Sequence, residues 1–274
     1  LPRFTVLIPT HNHGPLLGVS AMSALAQSER DMALYIVGDG MDDATRGAAG
    51  ELADADRRVR VFDLPKDPKR CAANRHRALA EADSEFVAYL DDDDFWFPDH
   101  LQQLGAALDQ ADFAHTRPFL LTTRFTVQIY QLGLDSLAIR HRMIEQSFNF
   151  VSPTQSGHRL AAYRALAEGW ATPPDGVAND LHMWRKFMAV PGLRFGASPM
   201  ITTVHLPTSI RPELDLQHRL RELRFWSRVL SQHGVRQRLA RLFTDSEAAR
   251  PSWVVDENKI WFAAAERLII GAGS

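Results

Sequence analysis

The chain has 274 residues, 45% of them hydrophobic and 23% charged, enough to bury a sizeable core as one large domain or a domain with an appendage. Its formal net charge of -2 gives no electrostatic basis for binding nucleic acid, and Cys71, the single cysteine, excludes an intramolecular disulfide or a cysteine-built zinc site. No window approaches the roughly 18 apolar residues of a membrane span, and no leader-like segment precedes the first strand, so a cytoplasmic protein is expected.

The first half alternates strands with helices. Phe4-Thr5-Val6-Leu7-Ile8-Pro9 predicts a strand, closed by a turn at Asn12-His13-Gly14-Pro15, and Leu16, Leu17, Val19, Met22 and Leu25 then fall at helical spacing. A second strand is predicted over 33–38, followed by a helix that Asp42 or Asp43 can cap and that runs toward Leu52. Val59-Arg60-Val61-Phe62 predicts a third strand, residues 72–82 a helix, and Phe86-Val87-Ala88-Tyr89-Leu90 a fourth strand. This rhythm predicts an α/β fold with a parallel sheet and right-handed crossovers. It weakens after about Pro118, where residues 119–130 read as strand, and the stretch from about Pro212 reads as mainly helical.

In such a sheet the turns after strands one, two and four open on the same edge, where ligands bind. They carry Pro9-Thr10-His11-Asn12, Gly38-Asp39-Gly40 and the run Asp91 to Asp94. Four carboxylates crowded at a strand end repel one another, and a divalent cation relieves that repulsion directly. The glycine turn has no Walker lysine and is not the dinucleotide fingerprint, which disfavours a P-loop or NAD site.

These three blocks, in this order and spacing, resemble the family-2 glycosyltransferases of GT-A fold, strongly over residues 4–110 and more loosely over 150–210. The resemblance implies a Rossmann-like, mostly parallel sheet flanked by helices, with a helical C-terminal region. It implies a GT-A domain over 1–207, with a nucleotide-binding half (1–110) and an acceptor half (111–207), then a lid and C-terminal helices over 208–274. It also implies an inverting, metal-dependent glycosyltransferase that uses a nucleotide-sugar donor, UDP or dTDP favoured, and a carbohydrate or other hydroxyl acceptor. By that resemblance Asp39 contacts the base, with Pro9, Thr10 and Asn12 beside base or ribose. Asp91 and Asp92 serve ribose or the surroundings of the metal, Asp93 holds Mn2+ or Mg2+, and His205 completes the metal shell. Asp94 receives no defined role. Arg70 is the cation expected near the diphosphate, with Arg75 and Arg77 as alternatives. Asp180, in Asn179-Asp180-Leu181-His182-Met183-Trp184-Arg185, matches the catalytic base, with Asp175 second.

Two positions depart from the pattern: Gly38 stands where an aspartate is usual, and Ala73 where an arginine is usual. They keep open a nucleotide-sugar-binding module without catalysis; a sugar nucleotidyltransferase is the other alternative. Residues 208–218 suggest a lid that orders over donor and metal. Between His218 and Leu242 seven arginines interleave with apolar residues. Such a helix packs on its own domain or a second subunit with arginines outward, giving a homodimer in the latter case. Alternatively it lies peripherally on the inner face of an anionic membrane.

Overall fold

The computed structural model describes residues 1–68, 71–121, 127–208, 214–230, 232 and 234–236. β1 (Phe4–Thr10) pairs in parallel with β2 (Met32–Asp39) on one side and β4 (Phe86–Tyr89) on the other, and β3 (Val59–Leu64) lies parallel outside β2. β1, β2 and β4 are buried almost throughout, which is why they read as continuous apolar runs; β3, at the edge, shows exposed positions at intervals. The helices α1 (Gly14–Leu25), α2 (Asp43–Ala55) and α3 (Ala72–Ala80) make the crossovers. Asp42 is the cap of α2, its carboxylate accepting from the Thr45 N–H at 2.8 Å. The two early helices meet closely: a Cβ on Gly14 would stand 2.8 Å from the Ala44 carbonyl oxygen.

Beyond β4 the sheet becomes mixed. β8 (Ser156–Arg159) runs antiparallel between β4 and β6 (Phe113–Leu121), β9 (Phe195–His205) runs parallel to β6, and β5 (Phe95–Trp96) and β7 (Val127–Gln128) are short antiparallel additions to β9 and β6. The strand order is β3-β2-β1-β4-β8-β6-β9-β5, with β7 on β6. The strand predicted over 119–130 begins earlier, at Phe113, because Pro118 sits within β6 at a register shift against β9 and does not end it.

Side chains alternate across the sheet into two cores. Val6, Ile8, Leu34, Ile36, Phe86 and Ala88 pack toward α1, α2 and α4 (His100–Leu108). Leu7, Val37, Val87 and Tyr89 face Trp170 and the Trp184 and Phe187 side chains of α7 (Asn179–Met188), which follows the short helices α5 (Leu137–Glu145) and α6 (Leu160–Arg164). A third cluster joins Leu220, Leu223, Trp226 and Val229 of α8 (Leu216–Leu230) to Leu16, Phe95, Phe97 and Val204. The apolar stripe of the basic C-terminal helix is thus covered by its own domain over the described residues, and Arg221, Arg224 and Arg228 point outward as expected. Arg219 is the exception: it is buried. Among the described residues, no helix is long and apolar enough to cross a membrane.

Candidate active site at the strand ends

Because β1, β2 and β4 are parallel neighbours, Thr10, Asp39 and Asp91 reach one edge together. They open on a cleft of about 550 Å3 that Asp180 and His205 also line.

The β2 end is rigidly prepared. Gly40 adopts φ 67°, a left-handed turn that glycine makes without strain, just after Asp39. The buried Asp39 carboxylate accepts from the Asp67 N–H (2.6 Å) and the Asn74 amide (2.8 Å) at one oxygen, and from Lys66 Nζ (2.8 Å) at the other. Asn74 is fixed in turn by donating to the Pro65 carbonyl at 2.8 Å. A carboxylate has about four acceptor positions, so one direction remains for a ligand N–H. Cys71, also left-handed at φ 65°, turns the chain into α3. Burial pushes its thiol up to about 11, which leaves it protonated and unsuited as a nucleophile. Gly38 has a local reason: a Cβ there would lie 2.6 Å from the Met41 side chain, which fills the space of the usual aspartate.

The β1 end contributes Thr10, whose buried hydroxyl has no hydrogen-bond partner among the described residues, a condition a bound ligand relieves. Pro9, His11 and His13 also line the cleft, whereas Asn12 is exposed in the turn and does not. His13 instead binds Asp92, Nδ1 to Oδ1 at 2.8 Å.

The four aspartates have four different settings. The Asp91 carboxylate receives no hydrogen bond among the described residues; burial, then the charges of Asp94 and Asp93, push it up to about 8. Asp93 is pushed up to about 6 by burial and by Asp94 and Asp92, against the opposing charge of Arg219. Its Oδ2 accepts from Thr208 Oγ1 at 2.8 Å and pairs with Arg219 Nη2. Asp94 is completely buried and bonded at both oxygens. It accepts from the Leu206 N–H at 2.7 Å and from the Thr154 hydroxyl, and lies 2.7 Å from His205 Nδ1. Burial opposes charge on His205, but Asp94, Asp91 and Asp93 outweigh it and raise the ring to about 9.

Ligand atoms of Asp91, Asp94 and His205 lie within 4.8 Å of one another, so the compact acid–histidine group is Asp91, Asp94 and His205, with Asp93 turned toward Arg219. Carboxylate and imidazole donors suit Mn2+; Asp94, bonded at both oxygens, orients the ring from Nδ1, which leaves Nε2 and the Asp91 carboxylate for an ion. These residues fit a divalent cation.

Across the cleft Asp180 sits in the first turn of α7, where Ala178 is the cap position. It accepts from the Asn149 amide at 2.7 Å and from the Leu181 N–H at 2.8 Å, and burial raises its pKa. Asp175 is exposed at its turn. Of the three candidate arginines, Arg70 lies outside the described residues, Arg77 is exposed, and Arg75 lines the cleft with its guanidinium 4.8 Å from the Trp170 ring centre. Trp170 and Trp184 are core residues, their indole N–H groups donating to the Tyr89 hydroxyl and the Val151 carbonyl.

The sequence profile described as Glycosyl transferase family 2 matches residues 5–167, more than half the chain. The chain belongs to this family. A GalNAc(5)-diNAcBac-PP-undecaprenol beta-1,3-glucosyltransferase from Campylobacter jejuni is 30% identical over 94 residues, 34% of this family-2 chain and 30% of that protein. The first relatives are matched over only 30 to 41% of their own lengths. Among solved structures, S. aureus TarS in complex with UDP-GlcNAc has a TM-score of 0.54 at 17% identity, covering 75% of this chain and 58% of that one. A mannosyltransferase from Pyrobaculum calidifontis in complex with GDP-Man and Mn2+ has a TM-score of 0.53 at 16% identity, covering 99% of this chain and 86% of that one. At these identities the likeness establishes the GT-A type of fold.

Sequence reasoning gave no role to Lys66, Asn74 or Thr154, and gave Asp94 none it could define. Asn74 directly follows Ala73, where the chain departs from the family pattern, so its position carried a signal. Arg219 also left one: it stands four residues before Leu223 and seven before Trp226, on the apolar stripe where an arginine is out of place.

Proposed function

We propose that the chain transfers a sugar from a nucleotide diphosphate sugar to a hydroxyl acceptor with inversion at the anomeric carbon. One observation carries the reading: three parallel strand ends deliver Thr10, Asp39 and the aspartate run to one cleft, with a half-buried carboxylate, Asp180, on the facing wall. Asp39 holds the base through its remaining acceptor position, and a pyrimidine N3–H suits it. Thr10 satisfies its hydroxyl on the base or ribose, and Arg75 supplies positive charge from α3. Asp91 and His205 of the compact group would hold a divalent cation, Mn2+ or Mg2+, and Asp93 would join them by giving up its pairing with Arg219, while Asp94 orients the histidine. When bound, that ion supplies charge neutralisation for the departing diphosphate. Asp180, its proton affinity raised by burial, takes the acceptor hydroxyl proton as that oxygen attacks the face opposite the leaving group.

UDP or dTDP remains the favoured leaving group; the UDP-GlcNAc-bound neighbour supports the former and the GDP-Man-bound one keeps guanine in the test. The polyprenyl-diphosphate acceptor named for the Campylobacter relative makes a lipid-linked glycan the acceptor to try first. Incubating UDP-, dTDP- and GDP-sugars with Mn2+ should give slow release of nucleoside diphosphate to water for one base. Pyrophosphate exchange would instead indicate a nucleotidyltransferase, and binding without either reaction a non-catalytic module.

A further inference from the structure

The four arginines of α8 are not equivalent. Arg221, Arg224 and Arg228 are exposed, whereas Arg219 is 8% exposed and reaches out of its helix to the aspartate run. Its Nη2 pairs with Asp93 Oδ2 and lies 3.2 Å from Thr208 Oγ1, and its Nη1 lies 3.1 Å from His13 Nε2. Guanidinium only donates, so His13 Nε2 accepts and its Nδ1 carries the proton given to Asp92. One side chain thus ties together the turn after β1, the aspartate run and the residue three beyond β9. The helix beneath it is anchored by Leu220, Leu223 and Trp226 against Leu16 of α1, so the guanidinium is delivered to this place by the fold.

Arg219 and Thr208 already occupy Asp93 Oδ2, so an ion on this carboxylate either displaces the guanidinium or binds beside it, where the two positive charges repel. A diphosphate held beside that carboxylate brings the anionic oxygens that a guanidinium fork matches best. We propose that Arg219 is a cation-exchange residue: it neutralises Asp93 in the metal-free protein and passes to the donor's diphosphate when a divalent ion takes Asp93. This rests on the nucleotide-sugar reading above. It adds to that reading a residue that no strand-end motif supplies, and it makes metal and diphosphate bind together, since each removes the obstacle to the other. A metal ion without nucleotide binds against the buried positive charge of Arg219. With nucleotide present, the guanidinium has a new partner.

The test measures Mn2+ binding from the electron paramagnetic resonance of the free ion, for wild type, Arg219→Gln and Arg219→Lys, alone and with UDP, dTDP or GDP. Without nucleotide, Arg219→Gln should bind Mn2+ about tenfold more tightly than wild type, the competing state being gone. With Mn2+ saturating, its affinity for the nucleoside diphosphate should fall by about tenfold or more, the loss of a charge-assisted contact, while affinity for the matching nucleoside stays unchanged. Arg219→Lys keeps the charge but not the fork and should lie between the two on both measures; it also serves if the glutamine variant does not fold. Unchanged or weaker Mn2+ binding by both variants overturns the exchange, as does an equal loss for nucleoside and diphosphate. If wild type with Mn2+ binds none of the three diphosphates, the nucleotide-sugar reading fails separately. The exchange then fails with it unless Arg219→Gln gains Mn2+ affinity.

Discussion

The two ends of the cleft handle negative charge in opposite ways. At the β2 end a single carboxylate, Asp39, is met by a backbone N–H, an amide and an ammonium group, so its charge is compensated before any ligand arrives. At the β4 end four carboxylates share less. Asp94 alone is fully bonded, Asp92 has a histidine, Asp93 pairs with Arg219, and Asp91 has no donor among the described residues. The first arrangement suits a fixed hydrogen bond that orients a neutral base. The second is a crowded anionic site, where burial and then the neighbouring carboxylates raise the proton affinities of Asp91 and Asp93. On the proposed reading, a site built this way would take a divalent ion and a diphosphate as a unit.

The largest effect expected from breaking this contrast is at the under-compensated end. Asp93→Ala should abolish metal-dependent nucleotide binding and bring turnover to background; turnover equal to wild type would remove Asp93 from the metal site. Next is Asp180→Asn, which keeps the shape and the Asn149 neighbour but cannot take a proton. It should lower kcat by about 10³-fold, the usual scale for a lost general base, with nucleoside diphosphate affinity unchanged by calorimetry. A comparable loss of affinity would mean that Asp180 holds the donor. At the compensated end the effects are smaller. Asp39→Asn should weaken nucleotide binding by about tenfold, by replacing one acceptor with a donor facing other donors. Asn74→Ala, which leaves Asp39 two of its three partners, should cost less than Asp39→Asn; the reverse order would make Asn74 the ligand contact.

The two ends also differed in how readable they were. The strand-end turns were legible because their chemistry is local: an apolar run fixes the strand, and the next residues must sit at the sheet edge. Asp39, Thr10 and the aspartate run were therefore placed correctly at one opening, as were the parallel half of the sheet and the Asp42 cap. What was not legible depended on distant pairing. Nothing near Asp94 announces that Thr154, His205 and Leu206, from elements more than 50 residues away, converge on it. The antiparallel insertion of β8 between β4 and β6 carries Thr154 there, and only the assembled sheet reveals it. Asn12 was read from a motif position, but the turn faces it outward and His13 inward. Within the aspartate run, order was legible from the chain and orientation was not.

The smallest expected effect is on stability without metal, and it has a definite sign. Folded Asp91 titrates near 8 rather than 3.8 and folded His205 near 9 rather than 6.5, so above about pH 6.5 the folded protein holds protons that the unfolded chain has released. Stability must therefore fall as pH rises from 6.5 through 9. The two groups interact and lose their protons as one coupled site, so the alkaline loss is smaller than the sum of separate shifts. On the acid side the buried rings of His100, His115 and His158, depressed by burial to about 3, 4 and 4, refuse protons that the unfolded chain accepts below 6.5, so stability falls there too. The metal-free melting temperature should peak near pH 6.5 and drop by several degrees toward pH 9, given about 2–4 °C per kcal/mol for a chain of this size. Asp91→Asn should flatten the alkaline side, because its amide has no proton to release, and should steepen the acid side, because folded Asp91 holds its proton from about pH 3.8 upward and offsets part of the histidine effect there. Saturating Mn2+ should restore the alkaline side in wild type and not in Asp91→Asn. An alkaline side indifferent to both would mean that the aspartate run is compensated by other means, and the contrast between the two ends of the cleft would no longer hold.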